Sequence, residues 1–174
     1  MKSSVIKKIK IFADGANYNE MINLSKKSFI KGLTTNPSLM RKNKISNYEE
    51  FAKKILKKIK NKPISFEVFS DNFEEMKKQA KKINSWGKNV YVKIPVTNTK
   101  KQSTSKLIKY LSHKNIKLNI TAIMTIKQVK VVLKNLNPKT PSYISIFAGR
   151  IADTGRDPIP IMREALKLMR TNKK

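Results

Sequence analysis

The chain has 174 residues, 39% of them hydrophobic and 29% charged, which suits one globular domain over residues 1–174 and is too apolar for disorder. It has no cysteine and one histidine, His113, which excludes a disulfide scaffold, a thiolate zinc site, a cysteine nucleophile and a multi-histidine metal cage. Lys and Arg number 39 against 11 Asp and Glu, a formal charge of +28, so a polyanion partner has to be weighed against plain surface solvation.

Apolar β-branched runs alternate with runs of helical period from end to end. Ile9–Ala13 reads as a strand, and Asn19–Ser25 as a short helix. Phe29–Thr34 is the second strand, followed by a helix start at Pro37-Ser38 and an amphipathic run over Tyr48–Lys60. Pro63–Phe69 is the third strand. Asp71 or Asn72 then caps a helix through Ile83, with a glycine stop expected at Trp86-Gly87. Val90–Ile94 is the fourth strand, closed by Pro95 and followed by a helix near Lys101–Leu111. Lys117–Thr121 is the fifth, and Thr125 caps the helix that runs to about Leu133. Pro141–Phe147 is the sixth, and Asp157-Pro158 opens a last helix to Arg170.

This alternation predicts parallel pairing and right-handed crossovers, in an open doubly wound sheet or a (β/α) barrel. Neither GxGxxG nor GxxxxGK[ST] occurs. The lysines fall on outer helix faces. In Phe51-Ala-Lys-Lys-Ile-Leu-Lys-Lys-Ile-Lys60 the apolar Phe51, Ile55 and Ile59 recur every fourth residue and lysines fill the rest. No arginine or aromatic platform interleaves with them, so a solvated face is read in preference to specific nucleic-acid binding. No apolar run reaches the ~18 residues a membrane span requires. The basic N-terminus lacks an apolar leader core, so a cytoplasmic protein without a signal peptide is expected.

Each strand carries a polar residue at or near its C-terminal end: Asp14, then Thr34-Thr35-Asn36, Glu67, Lys93, Asn119 with Thr121, and Ser145. In a (β/α) barrel such positions form the active site. Singly, each has a plainer reading. Asp14 can cap the helix that follows, Thr34-Thr35-Asn36-Pro37 can be a turn and helix start, Glu67 can pair with a rim lysine, Asn119 and Thr121 can satisfy loop backbone, and Arg150 can sit on the surface. Lys93 is the exception, because it lies between Val92 and Ile94 in a strand covered on both sides. A neutral amine in an apolar pocket is what a Schiff-base nucleophile requires.

At these residues the sequence resembles the transaldolase family. The matching segments are Ala13-Asp-Gly-Ala-Asn17, Lys31-Gly-Leu-Thr-Thr-Asn-Pro-Ser-Leu39, Ile64-Ser-Phe-Glu-Val68, Val90-Tyr-Val-Lys-Ile-Pro95, Asn119-Ile-Thr121 and Ser145-Ile-Phe-Ala-Gly-Arg150. The resemblance implies a cofactor-free (β/α)8 TIM barrel that moves a dihydroxyacetone unit between sugar phosphates through a lysine Schiff base. The pair it implies is sedoheptulose 7-phosphate with glyceraldehyde 3-phosphate, in the pentose phosphate pathway. It implies Lys93 as the Schiff-base lysine, Asp14 as the acid/base carboxylate, and Glu67 with Thr121 as holders of a catalytic water. Thr34, Thr35, Asn36, Asn119, Ser145 and Phe147 fall on substrate-binding positions, and Arg150 on a phosphate-binding one. The related fructose-6-phosphate aldolases resemble this pattern but carry Gln and Tyr where this chain has Glu67 and Phe147, so the transfer reaction is expected over simple aldol cleavage. Gly15 departs from the pattern, standing where a threonine is frequent. Six βα units are counted where the family fold has eight, so a C-terminally incomplete barrel is expected. An inactive partial barrel serving as a basic binding or assembly module, or a homo-oligomer, is the rival expectation.

Overall fold

A computed structural model describes residues 9–171. The basic start of the N-terminal segment, from which the expectation of no signal peptide comes, lies mostly outside them. Six strands are hydrogen-bonded in chain order: β1 (Ile11–Asp14), β2 (Ile30–Thr34), β3 (Ile64–Glu67), β4 (Val90–Pro95), β5 (Leu118–Ile123) and β6 (Ser142–Ile146). Between and after them run α1 (Tyr18–Lys26), α2 (Pro37–Lys42), α3 (Tyr48–Lys58), α4 (Phe73–Asn84), α5 (Ser105–His113), α6 (Ile126–Asn135), α7 (Ala148–Asp153) and α8 (Ile159–Thr171). No helix of the described residues is long and apolar enough to cross a membrane.

The chain divides into two compact units. One holds the chain to Glu67 together with Lys82–Tyr91, and the other holds Val68–Lys81 with the chain from Val92. In the first, β1 and β2 pair in parallel, as do β2 and β3. Leu33, Ile64 and Phe66 are fully buried, and α1 packs on β2 and on α3. The helices begin where side chains can accept from open N–H groups. Asn17, Asn36 and Asn47 cap α1, α2 and α3 through bonds to Glu20, Leu39 and Glu50. Trp86 packs edge-on against Tyr48 and Phe66, with ring centroids 5.4 and 5.7 Å away. That contact follows the end of α4 at Asn84, and Gly87 is not among the residues with left-handed backbone, so the expected glycine stop is absent.

In the second unit β4 pairs with β5 and β5 with β6, all in parallel. Val92, Ile94, Leu118 and Ile120 are fully buried, α5 and α6 pack on β5, and α8 packs on α6. Thr125 and Gln128 close a reciprocal capping box at the start of α6, and Asp157 accepts from the Ile159 N–H at the start of α8. One helix escaped the pattern reading: α7 spans six residues, too few for a period to show, and includes Gly149.

The lysines lie where amphipathic patterning puts them. A few pair within or between helices, as in Lys53–Glu49 and Lys82–Glu49, both at 2.7 Å, and Lys78–Glu75 at 2.8 Å. Lys54 lies over the Tyr18 ring, and Lys77 and Lys81 over Tyr110.

Candidate active site

Side chains alternate across a strand, so a residue's register partners share its face. In the second unit, Lys93 on β4 is in register with Asn119 on β5, and Asn119 with Tyr143 on β6. This row lies opposite the apolar face made by Val92, Ile94, Leu118 and Ile120. Lys93 is 8% exposed and is the one buried lysine among the described residues. Asn119 is 6% exposed, and its Oδ1 accepts from the Ser145 hydroxyl at 2.6 Å. That bond fixes both side chains and orients the Asn119 amide nitrogen away from Ser145. Thr121 lies one strand repeat beyond Asn119 and is 1% exposed. Its Oγ1 is buried with no hydrogen-bond partner among the described residues. A buried hydroxyl left this way costs about 1–3 kcal/mol unless a water or ligand meets it. The unit therefore assembles an amine, a fixed amide and two hydroxyls on one polar face.

Phe147 is half-buried at the start of α7, where its N–H donates to the Ile123 carbonyl at 2.9 Å. Arg150 is exposed on α7 and pairs with Asp153 at 3.3 Å. It is not hydrogen-bonded to Lys93, Asn119, Thr121 or Ser145.

In the first unit a second row crosses β1, β2 and β3: Asp14, Thr34 and Ser65 are successive register partners. Asp14 is exposed. The hydroxyls of Thr34 and Thr35 are both buried without partners among the described residues, the same orphaned state as Thr121. The Thr35 N–H donates to the Ser65 carbonyl at 3.1 Å. Asn36 gives its side-chain oxygen to the α2 cap, so its amide nitrogen is the group left for a ligand. Glu67 closes β3, half-buried, and its backbone carbonyl accepts from the Tyr48 hydroxyl at 3.1 Å. Burial pushes the Tyr48 hydroxyl far above its ordinary pKa, and the Glu67 carboxylate adds to the shift against the opposing hydrogen bond.

Several supporting residues have no signature in the sequence. Tyr143 joins the Lys93 row only through strand register. Tyr48 anchors the Glu67 carbonyl from a helix start. Gln79 accepts from the Phe69 and Ser70 N–H groups at 2.8 and 3.0 Å, and Asp71 accepts from the Thr99 hydroxyl and N–H at 2.6 and 2.7 Å. Those Thr99 bonds hold the Asp71 carboxyl below its usual range. Both sets stiffen the loops that leave β3 and β4. Gly15, the departure from the family pattern, has room for a side chain, since an added Cβ meets only Met21 at 3.8 Å.

Known proteins resemble the chain over most of its length. Residues 11–174 match the family described as Transaldolase/Fructose-6-phosphate aldolase. A probable transaldolase of a Sulfurihydrogenibium species is 35% identical over 156 residues, 90% of this chain and 67% of that protein. One from Clostridium kluyveri is 36% identical over 162 residues, 93% of this chain and 71% of the relative. One from Thermoplasma volcanium is 36% identical over 158 residues. Among solved structures, the wild-type sialic acid aldolase of Ruminococcus gnavus aligns at 15% identity and a TM-score of 0.48, covering 79% of this chain and 54% of that one.

Proposed function

The chain belongs to the transaldolase/fructose-6-phosphate aldolase family, and from that premise we propose that it transfers a dihydroxyacetone unit between sugar phosphates through a Schiff base on Lys93. The observation that carries the reading is the buried Lys93 amine beside Asn119, with Ser145 fixing the Asn119 amide and Thr121 offering an unpartnered hydroxyl on the same face.

The amine adds to the ketose carbonyl to give a carbinolamine. Loss of water then gives the iminium. Glu67 and Thr121 hold the water that relays protons in these steps, a role that suits a buried hydroxyl without a protein partner. The iminium accepts the electron pair as C3–C4 breaks, and Asp14 takes the hydroxyl proton of the departing aldehyde. The resulting enamine attacks the second aldehyde, and the same steps run backwards to release the new ketose. Asn119 and Ser145 hydrogen-bond hydroxyls of the three-carbon unit, as do Asn36 and the Thr34 and Thr35 hydroxyls. Phe147 puts no acid beside the enamine, which favours transfer over protonation. Arg150 takes a phosphate when it leaves Asp153, by the bidentate fork that suits that group. Sedoheptulose 7-phosphate with glyceraldehyde 3-phosphate is the substrate pair, without a cofactor.

Borohydride reduction in the presence of fructose 6-phosphate is the test. A reduced sugar adduct is expected on the peptide containing Lys93 and nowhere else, and Lys93→Met abolishes it. Labelling that persists unchanged in Lys93→Met rejects the assignment.

A further inference from the structure

A groove of about 440 Å³ opens in the first unit, where the end of α3 meets the turn between α4 and β4. That volume is within the range of small-ligand sites. Its floor is apolar, formed by Leu56 and the half-exposed ring of Trp86, which the Tyr48 and Phe66 contacts hold in place. Its rim carries Lys53, Lys57, Lys60 and Lys88, and no carboxylate is among the described residues that line it.

The lysines have a partial structural explanation. Cations in the last turn of a helix complement its dipole, which accounts for Lys57. It does not account for Lys60, which lies past the α3 cap at Ile59. On α4, by contrast, Lys77 and Lys78 each have a glutamate one turn away. In the groove Lys53 shares Glu49 with Lys82, while Lys57 and Lys60 have no hydrogen-bond or ion-pair partner among the described residues. Clustered amines of this kind create a field that a multiply charged anion relieves.

A second group narrows the ligand. Asn89 lines the groove, and its amide nitrogen donates to the Ile59 and Lys62 carbonyls, both at 2.8 Å. Two carbonyl partners settle which end of the amide is nitrogen, so the other end is an acceptor oxygen. That oxygen has no partner among the described residues. A bare anion leaves the apolar floor wet and the Asn89 oxygen unmet. A flat ring with an N–H on its edge covers Trp86 and Leu56 and donates to Asn89, while its phosphates reach the lysines.

We propose that this groove binds a nucleotide, with the phosphates on Lys57 and Lys60 and the base on Trp86 and Asn89. The site is separate from the residues proposed for sugar-phosphate transfer, and its test does not depend on that activity.

The chain has one tryptophan, Trp86, so its fluorescence reports the groove directly. Titration of the full chain with ADP is expected to give a saturable change, with pyrophosphate and adenosine each binding at least about tenfold more weakly. Lys57→Gln with Lys60→Gln is expected to weaken ADP by about tenfold. Lys134→Gln with Lys139→Gln, an equal loss of charge in the other unit, is expected to stay within about twofold of the parent. Circular dichroism melts verify that each variant is folded. A response that does not saturate overturns the proposal. So does pyrophosphate binding as tightly as ADP, which would make the groove a bare anion site. Equal weakening by the two lysine pairs would attribute the effect to diffuse charge and overturns it as well.

Discussion

Gly32 is a sharp steric test of the β1–β2 pairing. It is in register with Phe12, whose ring lies across it. A Cβ at position 32 would stand 2.2, 2.6 and 2.8 Å from three atoms of that ring. Ordinary contact begins at 3.4 Å, so the nearest atom must retreat by about 1.2 Å, the difference between those two distances. The Gly32 backbone is not left-handed, so the penalty of Gly32→Ala is steric alone. Overpacking of this kind costs about 1–3 kcal/mol, and removing a glycine from a strand returns about 0.5–1 kcal/mol. A net loss of about 1–2 kcal/mol is expected, measured by urea denaturation with an unchanged slope. The decisive measurement is a double-mutant cycle. In a Phe12→Ala background the obstacle is gone, so Gly32→Ala should be neutral or mildly stabilising, giving a coupling of about 1–2 kcal/mol. An equal loss in both backgrounds would refute the reasoning and locate the penalty in the backbone instead.

Three further outcomes follow from the site and its surroundings. Phe147→Tyr places a hydroxyl where the chain has none, so release of free dihydroxyacetone should rise relative to transfer; an unchanged product ratio counts against the assignment of transfer over cleavage. Glu67→Gln removes the carboxylate proposed to relay protons and should slow turnover by on the order of a hundredfold, with Lys93 still trapped by borohydride over long incubation; turnover within a few-fold of the parent would remove Glu67 from the mechanism. Glu49 is held at a pKa of about 2 by hydrogen bonds from Lys53 and then Lys82. Its folded value lies below its unfolded one, so its contribution to stability is full above the ordinary carboxylate range and fades as pH falls towards about 2. Glu49→Gln should flatten the acid limb of the stability profile, and more so at low salt; a limb of unchanged slope would show that the two lysine contacts do not persist in solution.

The strands were legible because each is a short β-branched run bounded by turn residues, and the starts of α4, α6 and α8 because Asn72, Thr125 and Asp157 accept from the N–H groups the pattern leaves open. Lys93 was legible because a charged residue between Val92 and Ile94 contradicts its setting. Adjacency was not legible. Asp14 beside Thr34 and Ser65, and Lys93 beside Asn119 and Tyr143, depend on strand register, and a one-residue slip would turn every one of these side chains to the other face. The double use proposed for Asn36 was hidden for a related reason: the cap employs the amide oxygen and leaves the nitrogen, and the sequence shows only the residue. The end of α4 was misjudged because Gly87 suggested a local stop, whereas Trp86 is drawn into an aromatic cluster formed by residues far away in sequence.

Ala122 shows how the backbone serves the polar face. It lies inside β5 with φ at 60°, a left-handed conformation that L residues with side chains avoid. The register explains why it is there. Ile120 faces Ile144 and Ile123 faces Ile146, so three steps along β5 match two along β6. The extra residue is a bulge. Without it Ile123 would share a face with Thr121, and one of them would be misplaced. With it Ile120 and Ile123 are both fully buried with the apolar side chains, while Thr121 stays on the face of Asn119 and Lys93. An alanine in this conformation is strained by about 1–2 kcal/mol, and glycine relieves that while adding about 0.5–1 kcal/mol of unfolded-chain entropy. Ala122→Gly is therefore expected to stabilise by about 0.5–1 kcal/mol and to leave the Lys93 adduct intact. Ala122→Val should destabilise by about 1–3 kcal/mol, since a β-branched side chain tolerates this region least. It should also lower turnover more than substrate affinity, because it disturbs Thr121 and not the amides proposed to bind substrate. Urea denaturation with parallel kinetics measures both effects. A loss of about 1 kcal/mol in Ala122→Gly, the ordinary penalty for glycine in a regular strand, would mean that β5 runs through this position without a bulge and that Thr121 owes its place to something else.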